Sequence, residues 1–257
     1  MLKMQSIIIV QMKSYKKTKI DKIKEKQKLM SYLLSLFFHE FFLETMFYCE
    51  LFLLLDLILS GFGIQGIYYL FHALHNIVIG YKTYSNVYHS FHMVEYPQMI
   101  EPGVFPLLYG LHIYHLLKYI RFISFDEIAH HFLCLFVAIP ISCTFKNRNL
   151  LGFSLFASTG WSTVFHYFSL FLYKNHIVSK RKTLQYNFVT NTFLRSPLIL
   201  FNSAFLIQYM VQYENITNLD IFLSMFLFSI LVTNGLYFQY KVTEKYFQSI
   251  MVHRENV

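Results

Sequence analysis

Apolar residues run almost unbroken from 31 to 81, interrupted only by Gly61, Gly63 and Gly66. At about 20 residues per membrane span, this stretch predicts two helices, or three short ones. Residues 82–103 are polar and contain Pro97 and Pro102, which reads as a loop. Further apolar runs predict spans at about 104–121, 127–144, 149–173, 196–213 and 219–240. Runs 149–173 and 219–240 carry no polar face at helical period that could meet water. The expected fold is all-α, a polytopic helical membrane bundle of seven or eight spans. Residues 1–30 form a basic N-terminal tail, 31–250 the transmembrane domain and 251–257 a short C-terminal tail. No internal repeat is visible.

Composition strengthens this picture. Of 257 residues, 55% are hydrophobic and only 14% are charged, where a soluble domain carries about a quarter. The acids of the first stretch, Glu40, Glu44, Glu50 and Asp56, are costly in lipid and are expected to face protein or an interface. Cys49, Cys134 and Cys143 lie inside apolar runs without a CxxC pair, which predicts neither a disulfide framework nor a zinc site.

The net charge of +8 is unevenly placed. Residues 1–28 hold nine lysines against Asp21 and Glu25, a local +7. Such a tail suits a cytosolic terminus or an anionic lipid surface. Nucleic acid is not expected, because the lysines lack interleaved arginines or stacking aromatics. The apolar patch 6–10 is too short for a cleavable signal. Lys118 with Arg121, then Lys174, Lys180, Arg181, Lys182 and Arg195, then Lys241, Lys245 and Arg254 fall in loops or ends on one side, which the positive-inside rule makes cytosolic. Asn215, in the sequon Asn215-Ile216-Thr217, is then lumenal and a candidate for glycosylation. A cytosolic N-terminal tail requires eight spans.

Candidate chemistry centres on FDEIAHHFLCLF, residues 125–136. On a helix, Asp126 and His130 are i,i+4, as are Glu127 and His131, so each acid can reach its own histidine. A histidine oriented by a carboxylate could serve as a general base or nucleophile. The same residues also fit a structural role, since Ser124-Phe125-Asp126-Glu127 matches the capping box. His72 and His75, His112 and His115, and His166 lie in or near other spans. Unpaired polar groups in lipid are costly, so these histidines suggest a shared polar cavity inside the bundle.

The segment FDEIAHHFLCLFVAIPISCTF resembles the TLC domain, shared by translocation-associated membrane proteins, ceramide synthases and a neuronal lipofuscinosis protein. That family has an acid a few residues before a His-His pair opening an apolar span. In the same order, HALHNIVIG resembles the early family span, with His75 at its histidine. NTFLRSP resembles the late helix ending in an arginine, here Arg195, and LVTNGLYFQYK the final span with its asparagine, here Asn234. The resemblance covers about residues 50–245. It implies a TLC-type bundle in the endoplasmic reticulum or a related endomembrane, with His130, His131 and Asp126 at a catalytic centre. His75, His112, His115, His166, Arg195 and Asn234 would line a substrate pocket.

In ceramide synthases the span after the His-His helix carries further acids. Here no Asp or Glu occurs between Ile128 and Gln212, and His115 follows Tyr114 where many members have Asp. Ser162 and Thr163 are similar to a Ser-Thr pair in smaller TLC-domain proteins associated with membrane lipid composition. The resemblance therefore implies membrane lipid metabolism or lipid-composition homeostasis, with membrane lipids as partners and no bound metal or cofactor. An N-acyltransferase joining acyl-CoA to a sphingoid base is one alternative. A membrane di-iron desaturase or hydroxylase is another, because His72, His75, His89, His92, His112, His115, His130 and His131 lie within about sixty residues, although their spacing departs from the HxxxH and HxxHH boxes. A transporter fits less well, with one Pro140 and no matching halves. The oligomeric state stays open, a homo-oligomer among the alternatives.

Overall fold

Glycines end the first helix where the sequence expects a break. Helix α1 spans 40–61, and α2 spans Ile67–Phe91. Gly63 and Gly66 turn the chain between them with φ of 76° and 64°, a left-handed backbone that side chains disfavour. Asn175 fastens this turn from a distant part of the chain. Its Oδ1 accepts from Gln65 N at 3.1 Å, and its Nδ2 donates to Gln65 O at 2.8 Å. The computed structural model describes residues 40–92, 103–140, 148–212 and 217–255. Residues from Thr45 onward form one compact unit, and the described residues 40–44 belong to a separate one. The basic tail of residues 1–30 and Cys143 lie outside the described residues, while Cys49 and Cys134 are free thiols.

Of the predicted loop 82–103, residues 82–91 instead continue α2, and 93–102 lie outside the described residues. Thr83, Asn86 and Ser90 recur at helical spacing and are buried. Thr83 Oγ1 donates to Ile79 O and Ser90 Oγ to Asn86 O, while Asn86 Nδ2 donates to Asn149 Oδ1 at 3.2 Å. These polar residues face another helix, so their polarity does not mark a loop.

Helix α3 spans Val104–Tyr119, close to expectation. Helix α4, Phe125–Leu133, passes into a π turn at Cys134–Ala138. The run expected as one span at 149–173 is instead two helices, α5 (Arg148–Thr159) and α6 (Trp161–Lys174). Gly160 separates them with φ −76° and ψ −144°. A Cβ there would lie 2.6 Å from Phe156 O, so only glycine fits. The hydroxyls beyond it meet the freed carbonyls: Ser162 Oγ donates to Ala157 O at 2.8 Å, and Thr163 Oγ1 reaches Thr159 O and Gly160 O at 3.0 Å. The Ser-Thr pair thus stabilises a broken helix, and both halves pack along α2.

Helix α7 (Lys180–Thr190), a π turn at Asn191–Arg195 and α8 (Ser196–Gln212) form one continuous rod. Ser179 starts it by accepting from Lys182 N. Residues 180–195 are therefore helix, which corrects the expectation that Arg195 belongs to a loop. At the π turn Ser196 N–H donates to Asn191 O, just before Pro197, which has no N–H to give. Helix α9 runs from Asn218 to Glu255, so the expected C-terminal tail at 251–257 is helical as far as 255.

The described residues are all-helical, without a strand. Two helices are long and apolar enough to cross a membrane, Lys180–Val211 and Asn218–Met251. Within Thr45–Val257 one apolar cluster joins α1, α2 and α3 through Phe52, Phe71 and Leu111, and a second joins α5, α8 and α9 through Phe153, Leu206 and Leu227. Much of the remaining interior is polar, including Asp56, Asn76, Asn86, His115, Arg195 and Asn202. Leu57, Phe136, Phe193, Val211 and Leu236 stand exposed outside. Glu50 is also exposed, unlike Asp56.

Gly110 lets α3 approach α1 closely. A Cβ there would lie 2.7 Å from Tyr48 Cβ, 3.0 Å from Thr45 O and 3.1 Å from Cys49 N. Two of these are backbone atoms that cannot rotate away. Gly110→Ala is expected to destabilise the protein by about 1–3 kcal/mol, read from denaturant unfolding in detergent.

Candidate functional site

Five histidines from three helices meet in the interior. His72 comes from α2, His112 and His115 from α3, and His130 and His131 from α4. His112 and His115 share a face of α3 because they are three residues apart. The capping box fixes the start of α4: Ser124 Oγ accepts from Glu127 N at 3.3 Å, and Glu127 Oε2 accepts from Ser124 N at 2.8 Å. One helical turn later His131 points inward, 3% exposed, while His130 is half-buried. The following π turn is braced by Tyr109, whose hydroxyl donates to Leu135 O at 2.6 Å.

The tightest contact in the cluster is between His112 Nδ1 and His131 Nδ1, 2.5 Å apart. One ring holds the proton and the other accepts it. The His115 ring lies edge-on to His131 with centroids 4.4 Å apart, and it stacks on Tyr68 at 4.5 Å. Both ring nitrogens of His115 are buried without a hydrogen-bond partner. His72 stacks on Tyr167 at 4.6 Å and meets His115 edge-on at 5.6 Å. His130 lies 5.6 Å from His131, ring to ring, and its Nε2 is 3.7 Å from Cys134 Sγ.

Arg195 flanks the cluster from the second π turn. It is 7% exposed, and its guanidinium lies 5.0 Å from the Phe238 ring, which also meets His130 edge-on at 6.3 Å. Nη1 donates to Asn191 Oδ1 over a long 3.4 Å, and Nε has no partner. His166 Nδ1 is likewise buried and unpartnered.

Asp56 builds a second polar centre beside the first. It is fully buried and accepts from Tyr114 Oη, from Tyr119 Oη at 2.8 Å and from Ser60 Oγ at 2.9 Å. Lys118 Nζ lies 2.5 Å from Oδ1. The Tyr119 ring in turn contacts His115 at 5.6 Å.

The predicted residues therefore separate into groups. His112, His115, His130 and His131 come together, Arg195 flanks them through Phe238, and His166 sits on α6, which packs against the π turn that carries Arg195. His75 lies nearby, but its Nδ1 is hydrogen-bonded to Asn76 Oδ1 at 2.9 Å, and Asn76 Nδ2 donates to Thr163 Oγ1. Asp126 does not orient His130. It stands exposed, and its Oδ2 accepts from Tyr237 Oη at 2.8 Å. Glu127 does not serve His131, because the helix cap uses its carboxylate. Asn234 is half-buried on α9. Asn215 lies outside the described residues, and the hydroxyl of Thr217 accepts from Asp220 N at 3.2 Å at the start of α9.

Sequence reasoning missed Tyr68, Tyr119 and Tyr167, as well as the partners of Asp56. Tyr68 precedes His72 by four residues and Tyr119 follows His115 by four, a same-face spacing that could have found both. Among the described residues, no group of three or more His, Cys, Asp or Glu is arranged to hold a metal ion. His89 lies 17 residues beyond His72 on α2, about 25 Å along the axis at the helical rise, so the eight histidines do not share one place. The chain matches no protein-family model, no curated protein and no solved structure.

Proposed function

We propose that the chain is an integral membrane protein of lipid metabolism or lipid-composition homeostasis, in the endoplasmic reticulum or a related endomembrane. Its histidine cluster is the headgroup end of a lipid pocket. The observation carrying this reading is the convergence of His72, His112, His115, His130 and His131, with both His115 nitrogens buried and unpartnered. Leaving such groups unsatisfied costs about 1–3 kcal/mol, a cost that a ligand with hydrogen-bonding groups would remove. The polar interior and apolar exterior support a lipid surrounding. Among the described residues, α1, α2, α3, α4 with its π turn, the broken pair α5 and α6, the rod α7–α8, and α9 give seven helical segments that would suit seven spans. The TLC resemblance supplies the family expectation, and the His-His segment within it sits at the cluster.

One observation favours a second reading, N-acyl transfer from acyl-CoA to a sphingoid amine. The His112–His131 pair is a proton relay of the kind that reaction uses. The pair would take the proton of the attacking amine as the new amide forms, and pass it to the thiolate of coenzyme A as the thioester breaks. Among the described residues no carboxylate hydrogen-bonds to the pair, so the two imidazoles would carry the proton between them.

Membranes containing the wild type and a His130→Ala, His131→Ala protein separate these readings. They are to be given acyl-CoAs of several lengths with a sphingoid base, and their total lipids compared. The first reading expects a change in lipid composition that needs both histidines, without N-acyl product. Histidine-dependent product would establish the second. Identical lipids and no product in both membranes would contradict both.

A further inference from the structure

We infer that Arg195 and His166 form a binding site for a lipid phosphate at the margin of the histidine cluster. The inference deepens the lipid-pocket reading and rests on it for the lipid source of the anion. Arg195 lies near the middle of the rod Lys180–Val211, far from either end. It carries a full charge at 7% exposure, and among the described residues no carboxylate pairs with it. A buried charge without a counter-ion is costly, and arginine does not escape by losing its proton. Its one side-chain hydrogen-bond acceptor is the neutral Asn191 oxygen at 3.4 Å. Among the described residues, Asp56 binds Lys118, Asp126 accepts from Tyr237, Glu127 caps α4 and Asp220 caps α9, and the sequence has no Asp or Glu between Ile128 and Gln212.

Two further features point to an occupant. Arg195 Nε and His166 Nδ1 are both buried and unpartnered, and α6, which carries His166, packs against the π turn that carries Arg195. Arg195 ends a π turn, a local widening of the helix that is frequent at functional sites. A phosphate is the fitting anion because several oxygens can accept from the guanidinium fork and the imidazole together. The apolar exterior suits delivery of that phosphate on a lipid.

The test uses the purified full-length chain in detergent, read by thermal unfolding. Dioctanoyl phosphatidic acid is compared with dioctanoylglycerol and with inorganic phosphate. Phosphatidic acid is expected to raise the wild-type Tm by several degrees, the neutral lipid is not, and inorganic phosphate is expected to do so only weakly. Arg195→Gln is expected to lose the shift while folding at least as stably without lipid. Should that variant not fold, Arg195→Lys keeps a charge but loses the fork, and its half-saturating lipid concentration should rise about tenfold. Equal shifts in wild type and Arg195→Gln, an unchanged midpoint in Arg195→Lys, or no wild-type shift would overturn the site. An equal shift with inorganic phosphate would overturn its assignment to a lipid. The phosphatidic acid shift should persist in His130→Ala, His131→Ala protein even if those histidines have no role in lipid composition, so failure of the broader reading is distinguishable.

Discussion

Asp56→Ala is expected to destabilise the protein more than any other single change considered, by about 3 kcal/mol. The substitution leaves Lys118 without its counter-ion and removes the acceptor of Tyr114, Tyr119 and Ser60 together. Lys118 is 33% exposed and can regain water, which holds the cost to the lower part of the range for broken buried pairs. Asp56→Asn retains a shape that can accept from the tyrosines and should cost clearly less. Denaturant unfolding in detergent gives both values. A cost below about 1 kcal/mol for the alanine variant would mean that Asp56 does not tie α1 to α3.

His131→Ala and His115→Phe should both abolish the proposed effect on membrane lipids, with opposite consequences for stability. His131 shares a hydrogen bond with His112, so its removal leaves a buried ring nitrogen unpaired and lowers stability by about 1–3 kcal/mol. His115 has no such partner. Phenylalanine keeps its stacking on Tyr68 and removes two unpaired nitrogens, so stability should rise by about 1–2 kcal/mol. Gain of stability with loss of function is the signature of a residue held for a ligand. If His115→Phe lowered stability, its imidazole would be part of the packing and the pocket reading would lose its strongest member. Lipid composition of expressing membranes and unfolding of the purified variants are the two measurements.

Local chemistry was well written in the sequence. The Ser124–Glu127 box announced the start of α4, the glycines at 61, 63 and 66 announced the turn before α2, and the apolar run announced α3. Tertiary partners were less legible. Thr83, Asn86 and Ser90 looked like loop residues because polarity alone does not distinguish water from a polar helix face. Gly160 looked like an ordinary small residue in an apolar run, yet its backbone breaks the helix. Spacing suggested that Asp126 and Glu127 could reach the histidines, but Tyr237 and the helix cap take those carboxylates instead. Arg195 resembled a loop cation because charge bias assigns sides and does not show burial. The two π turns have no clear signature in composition, although the second precedes Pro197.

The most direct measurement is mass spectrometry of the intact protein, extracted gently from the membrane, for bound lipid. The wild type should carry a lipid that survives detergent exchange, and, with the Arg195 phosphate site removed from both by Arg195→Gln, the His130→Ala, His131→Ala protein should carry much less than its parent at equal folded content. Empty wild-type protein, or equal lipid on both, would contradict a histidine-lined lipid pocket.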